Sequence, residues 1–294
     1  MIVSPPSDAA LAWAAEAVGG RPGSASTVRR LAGGAHASTH LIRTGTGDLV
    51  LRRFPAGDTA AVQEALVLRA LDGLDGWAPR LVAADPDGSR TGSPAVLISR
   101  LRGRADITPR DPHAAAALLG AALARVHAVP LSRLPALRDA MAAPSTAQHP
   151  APDAGPAGPP VAAGRHRLAA QPSVLTHFDF WTGNVLWTGP ELTGVVDWSG
   201  ACRAPRGFDV GWCRLDLAVL HGPDVADSFL AAYQRAAGTT VADLALWDLF
   251  ALANSHRSVE TWLPNYHDLG RVDLTTADLR ARHTAWTTHR LAAH

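Results

Sequence analysis

Three oxygen-bearing side chains stand near one another between residues 177 and 198, which read H-F-D-F-W-T-G-N-V-L-W-T-G-P-E-L-T-G-V-V-D-W. Asp179 and Asn184 flank a turn at Gly183, directly before an apolar run, so both side chains can share one face of a loop. Asp197 comes eighteen residues after Asp179 and ends the apolar run 193–196, which places it at the open end of a strand. A carboxylate, an amide oxygen and a second carboxylate suit a hard, oxygen-seeking cation together with a hydroxyl that is to lose its proton. A single aspartate before a turn is ordinarily a turn or cap residue. The three together, each beside a strand, point to chemistry. Zinc hydrolysis finds no support, because no H-E-x-x-H and no paired histidines accompany Asp179.

Elements on either side must hold this cluster. Residues 8–18 read as a helix with Ser7 or Asp8 as its cap. Three β-type runs follow at 26–31, 39–43 and 49–54, separated by a glycine turn at Gly33 and Gly34 and by a hairpin turn at 44–47. Residues 59–71 carry apolar side chains at helical spacing, and 95–99 is a continuous apolar strand. After Gly103 the character changes. A long alanine-rich helix spans 111–127, capped by Asp111 with Pro112 at its first position. Residues 144–164 are rich in Pro, Ala and Gly without periodicity and read as a loop or mobile insertion. Short strands at 174–176, 185–187 and 192–196 surround the polar cluster, and the pattern is helical from 210 onward, with interruptions near Pro264 and Gly270. The expected fold class is α+β: a β-rich part over 1–101 with one main helix and a helical N-terminal extension, then a mostly helical part over 102–294.

The loop around Asp179 resembles the catalytic loop H-G-D-x-x-x-x-N of the aminoglycoside phosphotransferase and choline kinase-like family, and Val195-Val196-Asp197-Trp198 resembles that family's V-D-W step. The likeness runs over roughly 26–235, allowing for a few residues' error at element ends. It implies a protein-kinase-like two-lobe fold and transfer of a phosphoryl group from ATP or GTP, with Mg2+, to a small hydroxylated acceptor. It further implies that Asp179 is the base, that Asn184 and Asp197 hold metal, and that His177 braces the loop. Asp209 matches an aspartate that anchors the loop. One departure is plain: Phe178 stands where the family carries glycine.

A nucleotide site of this kind needs a turn over the phosphates, a strand cation, and a helix carboxylate to aim it. Gly34 lies in such a turn, and the hydroxyls of Ser38 and Thr39 follow it. In L-V-L-R-R-F side chains alternate, so Val50 and Arg52 share one face while Leu49, Leu51 and Arg53 share the other. The chain contains no lysine, so the phosphate-binding cation is an arginine, and Arg52 is the candidate. Glu64, in the following helix, is the candidate partner for Arg52. By the resemblance, backbone groups from Ser99 to Leu101 bind the base edge.

Composition bounds the remainder. The 294 residues, 47% apolar and 18% charged, are globular in character, and a net charge of +1 offers no electrostatic case for nucleic acid or an anionic membrane as partner. The N-terminus lacks a signal-peptide pattern, and no apolar run approaches the ~20 residues that span a bilayer, so a soluble, cytoplasmic protein is expected. The two cysteines, Cys202 and Cys213, are expected as half-buried thiols. Eleven residues separate Asp197 from Asp209 with no A-P-E sequence after them, too few for the segment that docks a polypeptide. A small acceptor is therefore expected. An aminoglycoside or another antibiotic is one class; a primary metabolite is the alternative, as is a non-catalytic nucleotide-binding protein on the same fold. Asp216, Asp224, Asp227, Glu260 and Asp268 are acidic candidates for a cationic acceptor, and Trp181, Trp212 and Trp262 are candidates for a pocket wall.

Overall fold

The computed structural model describes residues 4–31, 37–134, 136–142 and 154–294. It divides into two compact units, Met1–Arg104 with Leu186–Gly200 and Ala105–Val185 with Ala201–His294. The segment that ends in Asp197 therefore groups with the first unit, although its sequence position lies well inside 102–294.

In the first unit, Ser7 caps helix α1 (Asp8–Glu16) by accepting the Ala10 N–H at 3.2 Å. Strands β1 (Ser26–Arg30), β2 (Ser38–Thr44) and β3 (Gly47–Arg53) precede helix α2 (Ala60–Leu71), and β4 (Leu81–Asp85) and β5 (Ala95–Ser99) follow it. They form an antiparallel sheet in the order β1-β2-β3-β5-β4. Ala10, Trp13 and Ala14 of α1 pack on Ile42, Leu51, Ala95 and Leu97, which fixes one face of the sheet as core. Alternation then turns Val50 and Arg52 to the opposite face. A short β6 (Arg104–Ala105) leads out of this unit.

The second unit begins with α3 (Pro112–His127), capped by Asp111, whose carboxylate accepts the Ala114 N–H at 3.0 Å. The expectation of a loop at 144–164 is corrected where it can be judged: residues 143–153 lie outside the described residues, but Gly155–Ala157 is a 3-10 turn and Gly158–Ala169 is helix α4. Pro159 and Pro160 occupy its first turn, where a missing N–H has no consequence, and Val161, Gly164 and Leu168 form a buried stripe. Burial outweighs the breaker composition. Strand β7 (Ser173–Thr176) follows; the chain then returns to the first unit, where β8 (Val185–Thr188) and β9 (Glu191–Val195) join β6 in a three-stranded sheet of order β6-β8-β9. Strand β10 (Cys202–Pro205) returns to pair with β7.

Five further helices complete the unit: α5 (Gly207–His221), α6 (Pro223–Ala237), α7 (Leu244–Ser255), α8 (Leu263–Asp268) and α9 (Thr276–Ala292). Helix α5 is the most buried, touching α6, α7 and α9. Helices α3 and α6 approach so closely that a Cβ on Gly120 would lie 2.4 Å from the Phe229 carbonyl oxygen, so only glycine fits there. Trp247, Tyr233 and Phe229 are fully buried, each stabilising the unit by roughly 1.5–3 kcal/mol. Cys202 and Cys213 are fully buried rather than half-buried, and burial pushes the Cys202 thiol up to about 12 and Cys213 well above its ordinary value. No helix among the described residues is long and apolar enough to cross a membrane.

Candidate active site

In the first unit, Arg52 is the centre of a buried charge cluster. Its Nη1 donates to Glu64 Oε1 at 2.8 Å and its Nη2 to Asp197 Oδ1 at 2.6 Å. Strand alternation aims the guanidinium at this face, and α2 brings Glu64 against it, fully buried. Burial raises the Glu64 carboxyl to about 7; the Arg52 charge opposes the rise, the Asp197 charge adds to it, and the backbone N–H of Trp198 opposes it. Asp197 also accepts the Ser199 hydroxyl at 2.7 Å. Its backbone is left-handed, φ 66°, a conformation an aspartate tolerates better than most residues. Trp198 fixes the following turn by donating its ring N–H to the Val195 carbonyl at 3.0 Å, with the indole fully buried.

The register of β2 on β3 decides between the two hydroxyls. Thr39 faces Arg52 across the pair, and Ser38 faces Arg53 on the other side of the sheet. The structure brings Thr39 to the Arg52 face and turns Ser38 away. Ser99 is engaged at the end of β5, where its hydroxyl accepts the Arg80 N–H at 2.8 Å and its own N–H donates to the Arg80 carbonyl at 2.9 Å. Leu101 is half-buried against Gly194. Gly34 lies outside the described residues.

In the second unit, the loop between β7 and β8 carries Asp179 exposed and Asn184 buried. The Asn184 amide nitrogen donates to both the carbonyl and Oδ2 of Asp179, each at 2.8 Å, and the Asn184 N–H donates to the Trp181 carbonyl at 3.0 Å. Gly183 makes this tight turn feasible, because a Cβ there would meet the Trp181 ring at 2.2 Å. Asp209, fully buried on α5, accepts the N–H of His177 at 2.7 Å and of Phe178 at 2.9 Å, and lies 3.2 Å from His127 Nε2. His127 Nδ1 in turn lies 2.7 Å from the Tyr233 hydroxyl. Phe178 adopts the left-handed backbone that glycine favours, φ 76°. Its ring stacks on Phe208 at 5.3 Å, and the Arg138 guanidinium lies 4.4 Å from its centroid.

Sequence reading missed the second anchor of this loop. Asp216 accepts the Tyr266 hydroxyl at 2.6 Å and the Thr182 hydroxyl at 3.4 Å. Burial raises its carboxyl to about 7, the two hydroxyl donors oppose the rise, and the Asp179 charge adds to it. The available signal was the seven-residue spacing from Asp209, which puts both aspartates on one face of a helix.

Asp197 in the first unit and Asn184 in the second are oxygen donors of the kind magnesium takes, not the nitrogen and sulfur donors zinc favours. Among the described residues no group of three or more His, Cys, Asp or Glu side chains is arranged to hold a metal. Mg2+ is ordinarily held by one or two protein oxygens together with substrate phosphates and water. Asp197 offers a carboxylate; Asn184, its amide nitrogen committed to Asp179, offers an amide oxygen.

A model described as the Phosphotransferase enzyme family (APH) matches residues 27–250. The chain belongs to this family. Homoserine kinase of Pseudomonas aeruginosa is 29% identical over 206 residues, covering 65% of this chain and 62% of the relative. The chain thus spans about three-fifths of the length of the curated relatives it matches. Among solved structures, an aminoglycoside-3'-phosphotransferase of type VIII superposes with a TM-score of 0.60 at 22% identity, over 82% of this chain and 97% of that one. A thermostable mutant of another aminoglycoside phosphotransferase, in ternary complex with ADP and hygromycin B, gives 0.59 at 16% identity, over 90% and 95%. At such identities these neighbours speak for the fold, which is the α+β, protein-kinase-like one the motifs imply.

Proposed function

We propose that this protein is a nucleotide-dependent O-phosphotransferase acting on a hydroxyl of a small molecule. The observation that carries the reading is the Arg52 fork: one guanidinium held on two separate nitrogens by Glu64 and by Asp197, from a helix and from a turn far apart in sequence. A surface ion pair gives no reason to bury Arg52 with Glu64 and set half-buried Asp197 on the same guanidinium; a phosphate-binding cation aimed beside a metal-binding carboxylate does.

In this reading Arg52 grips phosphate oxygens of ATP or GTP, Glu64 aims it, Thr39 adds a hydroxyl, and backbone groups near Ser99 and Leu101 meet the base edge. Asp197 in the first unit and Asn184 in the second would each offer an oxygen to Mg2+, which when bound would neutralise charge on the phosphate oxygens. Asp179 orients the acceptor hydroxyl and takes its proton. The acceptor oxygen forms a bond to the γ-phosphorus as the bridging bond to the β-phosphate breaks, and the nucleoside diphosphate leaves. Asn184 supports this role by fixing the Asp179 carboxylate and carbonyl at once. A nucleoside triphosphate donor fits a cytoplasmic location.

The family members named above are described for homoserine and for aminoglycosides, so family alone leaves the acceptor open. The test is a screen of hydroxylated antibiotics and amino-acid or sugar metabolites with ATP and with GTP, scored by mass gain of one phosphate. A single phosphorylated product that disappears without Mg2+ is expected. Tight nucleotide binding with no product across the panel would favour a non-catalytic nucleotide-binding protein instead.

A further inference from the structure

Eight of the nine tryptophans fall into two groups; the ninth, Trp77, is half-buried in the first unit. Trp13, Trp187, Trp198, Trp247 and Trp286 are buried, as core tryptophans are expected to be. Trp181, Trp212 and Trp262 are half-buried and belong to one neighbourhood of the second unit. Trp212 and Asp216 are four residues apart on α5 and share a face. Trp262 and Tyr266 stand four apart on the turn and helix at α8. Two rungs join these elements, Trp212 on Trp262 at 6.3 Å between centroids and the Tyr266 hydroxyl on Asp216 at 2.6 Å. Trp181 closes the group, its ring 5.8 Å from Tyr266, and it is two residues from Asp179. The Asp179 charge reaches both Asp216 and Tyr266. Indole surface left partly open beside an exposed carboxylate is surface that a ligand can cover.

Asp209, Asp216 and Glu260 on these elements are engaged, while Asp268, at the end of α8, is exposed. Glu260 receives Arg280 on both oxygens, at 2.6 and 2.7 Å, and Asp216 receives Tyr266 and Thr182. A polycation is gripped by several free carboxylates, whereas indole faces favour apolar groups and single, weakly hydrated cations. We propose that Trp181, Trp212 and Trp262 form the acceptor-recognition wall beside Asp179 and select a hydroxylated molecule that presents an apolar face and carries at most one positive charge. The proposal rests on the phosphotransferase reading and narrows its acceptor.

Two isosteric probes and one contrasting probe test it: 3,3-dimethylbutan-1-ol, choline with the same shape and one charge, and the polyamine kanamycin. Binding to the full chain is followed by tryptophan fluorescence and by saturation-transfer NMR, at low and high salt. The alcohol and choline should bind with similar affinity and little salt dependence, and Trp212→Leu and Trp262→Leu should each weaken both about tenfold while thermal unfolding stays cooperative. Kanamycin should bind more weakly than either. Salt-sensitive binding of kanamycin alone, unchanged by the two substitutions, would overturn the wall, as would no binding of either isostere. Magnesium-nucleotide affinity, measured on the same samples, reports separately on the phosphotransferase reading. Its absence with probe binding intact removes that reading and leaves the wall as a binding surface.

Discussion

The two units hold their functional side chains by different physics. In the second unit the loop bearing Asp179 is tied through backbone: Asp209 takes two consecutive N–H groups, and Asn184 folds back on its own loop. In the first unit Asp197 is held through side-chain charge, by a buried arginine that a second carboxylate also claims. Backbone anchoring fixes a shape whatever the ionic conditions. Charge anchoring is adjustable, because protonation, magnesium or a phosphate can each redraw it. The proposed base has the first kind of support, and the carboxylate proposed to meet metal and nucleotide has the second.

The largest effect should come from breaking the backbone anchor. Asp209→Ala leaves the buried N–H groups of His177 and Phe178 and the His127 ring without their acceptor, and should destabilise the protein by about 3–5 kcal/mol. Urea unfolding measures this; a loss under 1 kcal/mol would contradict the anchoring role. Next is the charge anchor. Arg52→Lys keeps the charge but cannot fork to Glu64 and Asp197 on two nitrogens, so nucleotide affinity should fall about tenfold with a stability loss of only ~1–2 kcal/mol. Isothermal titration and unfolding on the same variant separate the two effects.

Phe178 offers a smaller and more discriminating test. Phe178→Ala keeps the left-handed backbone and discards the stacking on Phe208 and the Arg138 contact, for a loss of about 2 kcal/mol. Phe178→Gly discards the same contacts but relieves the strain, so it should be the more stable of the two by about 1 kcal/mol. The reverse order would mean that the backbone there is not strained.

The smallest effect is one of pH. Glu64 and Asp216 are each raised by burial to about 7, from ordinary values of 4.5 and 3.8. Between those limits the folded protein holds protons that the unfolded chain has released. Stability from these groups is therefore full below the unfolded values and is lost as pH rises through 7. His221 and His283, pushed down to about 4 by burial and nearby arginines, act in the opposite sense, losing stability as pH falls below about 6.5. The wild-type profile mixes both slopes, so the difference curve is the informative quantity. Asp216→Asn should gain stability relative to wild type between pH 5 and pH 8, read from melting temperatures across that range. A flat difference would show that Asp216 does not titrate there.

Much of this was legible in the sequence, for identifiable reasons. Strand alternation in L-V-L-R-R-F separated Arg52 from Arg53, and the need for a helix carboxylate to aim that cation picked out Glu64. The same alternation should have separated Ser38 from Thr39. Helix α4 was hidden because proline and glycine outvote periodicity in a local reading, while its stability comes from a buried stripe that includes Gly164 against Leu246 of α7. Strand β4 was missed because five residues of modest hydrophobicity gain their identity from pairing with β5. The return of residues 186–200 to the first unit is a matter of chain topology, which composition does not encode.

The account turns on Asp179 as the group that deprotonates the acceptor. The most direct measurement compares Asp179→Asn with wild type on an identified acceptor, recording magnesium-nucleotide affinity and single-turnover phosphoryl transfer together. The predicted result is unchanged affinity with transfer slowed at least about a hundredfold. Transfer at the wild-type rate, with nucleotide still bound, would contradict it.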